Sequence, residues 1–118
     1  MSCEVIESSH MLGKKWSIPL IEEVAHREIY SFNRLVKKAH GATPRIISMQ
    51  LKELEKSGII KKEFRAQDNR KFAAYSLTKK GTELQRVING MKAWNVKWNR
   101  VPEFCLNTPC LECPKHVT

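Results

Sequence analysis

Long apolar runs are missing from this 118-residue chain; stretches such as Ile18-Pro19-Leu20-Ile21 fall far short of the ~20 residues that cross a bilayer. No membrane span is expected. The N-terminus, Met1-Ser2-Cys3-Glu4-Val5-Ile6-Glu7, has neither a basic leader nor an apolar core, so no secretory signal is read and the cytoplasm is the expected compartment. Also absent are a glycine-rich phosphate loop, Gly-x-Ser-x-Gly and His-Glu-x-x-His, and the four histidines are scattered at 10, 26, 40 and 116. Nothing converges on a reaction, and no enzyme is expected. With 42% hydrophobic and 28% charged residues, no segment has the composition of a disordered tail, and the length suits one domain.

Acidic residues are few: 12 Asp and Glu stand against 21 Lys and Arg, for a formal net charge of +9. The excess is uneven, with ten basic and four acidic residues between positions 43 and 80. A concentrated basic surface attracts phosphate backbones or anionic lipid through its long-range field, although a merely solvated face would have the same composition.

Ser2 is placed to cap a first helix from Cys3 to about Leu12, ended by Gly13. A second helix is expected from about Lys15 to Ala25, with Pro19 near its first turn and Trp16, Ile18, Leu20, Ile21 and Val24 buried. Ser31 caps a third, in which Phe32, Leu35, Val36 and Ala39 recur at three- and four-residue spacing, leaving Asn33, Arg34, Lys37 and Lys38 to water. After His40-Gly41-Ala42, Thr43-Pro44 restarts the pattern as a cap followed by proline at the first helical position. Two helices joined by a short turn containing glycine make a helix-turn-helix candidate.

The helix after the turn runs from Pro44 to about Ser57. At 100° per residue, Ile47, Leu51 and Leu54 share one side and Arg45, Ser48, Met49, Lys52 and Lys56 the other. Ile59 to Arg65 and Phe72 to Leu77 read as strands of a hairpin around a loop from Gln67 to Lys71. Arg65, Arg70 and Lys71 at its tip suit a phosphate backbone better than a core. The fold class expected is therefore mainly α (α+β), a winged helix-turn-helix with a two-stranded wing. Thr78 then caps a long last helix, where Leu84, Val87, Met91, Trp94, Trp98 and Val101 repeat at spacings of three and four. That heptad seam with two indoles suggests a partner helix and a homodimer, against packing within one chain. Residues 1–104 are read as one winged-helix DNA-binding and dimerisation domain, and residues 105–118 as a cysteine-rich tail.

Four segments in order carry a resemblance to a known family: Cys3 with Leu12-Gly13-Lys14-Lys15-Trp16, then Phe32-Asn33-Arg34-Leu35, then Pro44 to Gly58, and Tyr75-Ser76-Leu77-Thr78-Lys79-Lys80-Gly81. From Cys3 to about Trp94 the chain resembles the HxlR family of winged-helix transcriptional regulators, relatives of the MarR group. The family has proline after the first cysteine, where this chain has Glu4, and it usually ends soon after the long helix. The resemblance implies a homodimer joined through terminal helices, with a recognition helix in each of two successive major grooves of double-stranded DNA. The residues expected to face DNA are Thr43, Pro44, Arg45, Ser48, Met49 and Lys52, with Arg65, Arg70 and Lys71 on the wing. The rival reading is a winged-helix protein-interaction module with only non-specific DNA binding, which does not need those cations on one surface.

Two cysteine features remain. Cys3 is expected in the first turn of a helix, where the dipole and nearby lysines favour a thiolate, so it is a candidate redox or electrophile sensor; a small buried hydrophobe at the dimer seam is the plainer alternative. Cys105, Cys110, Cys113 and His116 form C-x4-C-x2-C-x2-H, a donor set for zinc with a partial iron–sulfur spacing; the last spacing is tight for zinc, and disulfide or free thiols together are the favoured alternative. The sequence points to no particular small-molecule effector.

Overall fold

The computed structural model describes residues 3–26 and 30–112. Helix α1 (Glu4–Gly13) buries none of its residues. Cys3 itself takes the N-cap position with extended backbone and makes no side-chain cap, while Ser2, the cap expected from sequence, lies outside the described residues. Helix α2 (Ser17–His26) is the opposite of α1. Leu20, Ile21 and Val24 are buried there, with Trp16 just ahead of it, and Pro19 sits in the first turn, where its missing N–H breaks no intrahelical bond.

Strand β1 (Tyr30–Ser31) leads straight into helix α3 (Phe32–Lys38), followed by α4 (Pro44–Lys56). Ser31 caps α3 by accepting from the Arg34 N–H at 3.3 Å, and Thr43 caps α4 by accepting from the Ile46 N–H at 3.2 Å. Between them Gly41 holds φ +92°, a left-handed conformation that glycine adopts without a side-chain clash. Leu35 of α3 and Ile47, Leu51 and Leu54 of α4 meet Leu20 and Ile21 of α2 in the core, so the helix-turn-helix is held by α2.

Strands β2 (Ile60–Gln67) and β3 (Arg70–Leu77) pair antiparallel from Ile60↔Leu77 to Gln67↔Arg70. The five-residue loop expected from sequence is in fact a two-residue turn, and Arg70 and Lys71 belong to β3. Asp68 and Asn69 take φ of 53° and 63°, the left-handed pair of a type I′ turn, whose twist matches the strands it joins. The sheet also has a third member that sequence did not reveal. β1 pairs with β3 through Tyr30↔Tyr75 and Ser31↔Ala74, giving the order β1-β3-β2.

Helix α5 (Lys79–Lys97) is capped by Thr78, whose hydroxyl accepts from the Gly81 N–H at 3.0 Å. Ile88 and Lys92 form its buried side. Trp98 is its C-cap and Asn99 turns to φ 56°, so Val101 lies beyond the helix and is not part of the expected heptad seam. Two short 3₁₀ turns, Glu103–Asn107 and Cys110–Glu112, bring the chain back. Leu111 joins the main core, Glu112 pairs with Lys38 of α3, and the buried Lys92 ammonium lies 2.9 Å from the Glu22 carboxylate while donating to the Thr108 carbonyl at 3.1 Å. Residues 105–112 thus pack against the same core as the helices. No helix among the described residues is long and apolar enough to cross a membrane.

Candidate nucleic-acid interface

The cap at Thr43 and the three core positions of α4 fix which of its sides is left to solvent. Thr43, Pro44, Arg45, Met49 and Lys52 are exposed there, with Met49 at 54%. Ser48 departs from that group: it is half-buried and lines a cleft toward the wing.

On the wing, alternation along the paired strands separates two faces. Lys62 and Phe64 stand opposite Tyr75 and Ala73, whereas Arg65 and Gln67 stand opposite Phe72 and Arg70. Glu63 draws Lys61 and Arg65 to within 3.5 and 3.4 Å, exposed pairs worth ~0–1 kcal/mol that barely hinder a switch of partner. Phe64 is 74% exposed, with the Lys62 ammonium 5.2 Å from the ring centroid. Burial pushes the Tyr75 phenol above its ordinary range, and the Glu55 carboxylate adds to the effect, so this hydroxyl stays neutral.

Because β1 ends as α3 begins, the first residues of α3 sit beside the wing and create two clefts. One, of about 670 Å³, is lined by Arg34, Arg65, Arg70 and Lys71 among others. The other, of about 300 Å³, brings Asn33 and Ser48 to Lys62, Lys71 and Tyr75. Asn33, Arg34 and Lys62 were not among the residues expected to matter. Apart from the place of Asn33 and Arg34 in a segment shared with the family, their sequence signal was polarity, since a two-residue strand has no periodicity to announce it.

The apolar residues of α5 divide between two roles. Val87, Met91, Trp94 and Trp98 are exposed, the indoles at 54% and 63%, while Leu84 is partly buried against the chain's own core. Val5 and Ile6 of α1 and Phe104 and Leu106 after α5 are also exposed; sequence reading gave none of these four to a partner surface.

Cys3 is exposed, and the nearby backbone N–H groups of Ile6 and Val5 at the start of α1 lower its thiol below the ordinary cysteine range, although no cap hydrogen bond to the sulfur is formed. Exposed in the single chain, the thiol is open either to solvent or to a partner at the dimer seam. Cys105 and Cys110 are half-buried, whereas Cys113 and His116 lie outside the described residues. Among the described residues no three His, Cys, Asp or Glu side chains are grouped to hold a metal.

A capped helix-turn-helix, an exposed polar and basic side on its second helix, and a cationic hairpin next to it define a winged-helix DNA-binding protein. The chain belongs to the HxlR-like helix-turn-helix family, whose model matches residues 11–102, and is a transcriptional regulator. It is 34% identical over 96 residues to YdeP of Bacillus subtilis, an uncharacterised HTH-type transcriptional regulator, with 81% of this chain and 73% of YdeP covered. Among solved structures, the redox regulator HypR in its reduced form superposes with TM-score 0.70 at 28% identity, covering 80% of this chain and 92% of HypR. Reduced YodB from B. subtilis gives TM-score 0.68 at 31% identity, with 82% and 94% covered; YodB has also been solved diamide-treated and quinone-bound.

Proposed function

We propose that two copies of this chain, joined along α5, place α4 in successive major grooves of duplex DNA and the wing in the flanking minor groove. The observation that carries this reading is the cleft shared by Ser48 of α4 and Lys62 and Lys71 of the wing, which sets the helix and the cationic hairpin side by side. Arg45, near the start of α4, reaches base edges, and Arg70 and Lys71 bind backbone. Arg45→Ala is accordingly expected to cost ~1–3 kcal/mol on a selected duplex and to relax preference at one position per half-site. Changing Arg70 and Lys71 together to alanine weakens selected and random duplexes alike and flattens the salt dependence. Binding isotherms across a salt series check both, and the reverse pattern would overturn the assignment. Affinity for duplex that hardly responds to salt would favour a protein-interaction module instead.

Cys3 is the proposed sensing thiol. A lowered thiol carries more thiolate at neutral pH, and the thiolate is the nucleophile. The carbon–sulfur bond forms as the thiolate adds to a ring carbon of a quinone and the C=C electron pair moves onto a carbonyl oxygen; solvent protonates that oxygen, and loss of the proton from the substituted carbon with protonation of the second oxygen leaves a hydroquinone joined to sulfur. HypR is described as a redox regulator and YodB has been captured with quinone, which supports the reading. Peptide-resolved alkylation by iodoacetamide is expected to reach half-maximal rate at a lower pH for Cys3 than for free cysteine. Cys3→Ser is expected to leave DNA affinity intact and remove its response to quinone; an unchanged response would rule Cys3 out.

A further inference from the structure

With α4 in a major groove and the wing in the next minor groove, the sugar-phosphate strand separating those grooves must cross the space between the two elements. The floor of that space is the cleft of about 300 Å³ walled by Asn33 of α3, Ser48 of α4, and Lys62, Lys71 and Tyr75 of the wing. Its polar side chains, Ser31 included, can all donate: two ammonium groups, a carboxamide, two hydroxyls and a neutral phenol. No carboxylate lines it among the described residues, and Glu55, which acts on the Tyr75 hydroxyl, stands outside the lining. A phosphodiester offers only acceptors, and ammonium-to-phosphate bonds are of the stronger, charge-assisted kind. The exposed Phe64 ring beside the Lys62 ammonium, 5.2 Å away, limits the directions in which that long side chain extends.

We propose that this cleft is a phosphate saddle, in which Lys62 and Lys71 from the wing, Asn33 from α3 and Ser48 from α4 hold the backbone phosphate lying between the two grooves. The inference rests on the groove placement proposed above. It adds Asn33 and Lys62 to the interface and, among the residues expected to face DNA, assigns Ser48 to the backbone. Half-burial of Ser48, beside the exposed Arg45 and Met49, agrees with that assignment. DNA passing over this point is gripped from three elements at once, so the saddle sets how deeply α4 enters its groove without itself selecting a base.

The test uses full-length protein with Lys62→Gln and Ser48→Ala, a random-sequence duplex, and a duplex selected from a random pool by the wild type. Lys62→Gln is expected to lower affinity by the same factor on both duplexes and to reduce the salt slope by about one unit per subunit. Ser48→Ala is expected to weaken both several-fold and to select the same bases as wild type when the pool is screened again. A methylphosphonate at the inter-groove position of the selected duplex removes the difference between wild type and Lys62→Gln. An unchanged salt slope, or a new base preference in Ser48→Ala, would overturn the saddle. Inorganic phosphate at constant ionic strength, competing with DNA on wild type but not on Lys62→Gln, would make the cleft a free-anion site and overturn it too. Wild-type protein that binds no duplex overturns the groove placement and the saddle together, a result distinct from the others.

Discussion

Gly81→Ala is expected to destabilise the fold by about 3 kcal/mol or more, although alanine in place of glycine inside a helix ordinarily stabilises it by ~0.5–1 kcal/mol. A Cβ at Gly81 would stand 2.0 Å from the Ile59 carbonyl oxygen and 3.0 Å from its carbon. These are backbone atoms, and they cannot swing aside as a side chain would. The Ile59 oxygen accepts both the Thr78 N–H and the Thr78 hydroxyl at 3.1 Å. Retreat would therefore break the junction between the end of α4, the wing and the start of α5. Gly13, which has nothing within 4 Å of its virtual Cβ, is the comparison: Gly13→Ala should leave stability equal or slightly raised. Urea unfolding reads both, and a Gly81→Ala midpoint equal to wild type would show that α5 docks less tightly than this contact requires.

The second large effect is on assembly. Trp94 and Trp98 are 54% and 63% exposed, so roughly half of each indole is available to a partner. With large aromatics burying ~150–250 Å² in full and ~25 cal/mol per Å² removed from water, each indole contributes about 2–3 kcal/mol, and a twofold dimer contains four. Lys97 and Arg100 lie over these rings at 6.0 and 5.7 Å from their centroids, a charged rim around an apolar centre of the kind interfaces have. Trp94→Ala with Trp98→Ala is expected to give a folded monomer at micromolar concentration in sedimentation velocity. Since neither ring is buried in its own chain, circular dichroism should keep its helical signal. A double variant that still sediments as a dimer would place the interface elsewhere, with the exposed Val5 and Ile6 of α1 as the next surface to change.

What could be read from sequence was mostly what side chains write locally. Ser31, Thr43 and Thr78 each accept from an N–H three residues on, and these caps, with Pro44 after Thr43, fixed three helix starts before any tertiary contact was known. The core side of α4 followed from period alone, because Ile47, Leu51 and Leu54 are its buried residues. Features set by pairing at a distance were hidden. Tyr30 and Ser31 form a strand only because β3 is there to pair with, and that pairing carries Asn33 and Arg34 to the wing. The seam was extended one step too far, to Val101, because spacing does not register that Asn99 adopts a left-handed backbone. Ser48 falls on the polar arc of α4 by angle, yet the neighbouring wing half-covers it. Leu111 was invisible as a core residue, being a single apolar side chain amid cysteines and prolines.

Lys92 has a consequence for the length of the DNA site as distinct from its letters. Its ammonium is buried between the Glu22 carboxylate of α2 and the Thr108 carbonyl, so tilting α5 against α2 would strand a charge away from water, at a cost of ~3–5 kcal/mol if the partner were lost altogether. In the dimer proposed above, that tilt is the coordinate that would move one α4 relative to the other. Half-sites read by such pairs lie about one helical turn, ~34 Å, apart, and one extra base pair both lengthens that span and rotates the far half-site by about a tenth of a turn. In that dimer, such an operator would meet a ruler stiffened by an ion pair inside each subunit, far from any base, and spacing would be discriminated where no side chain touches DNA.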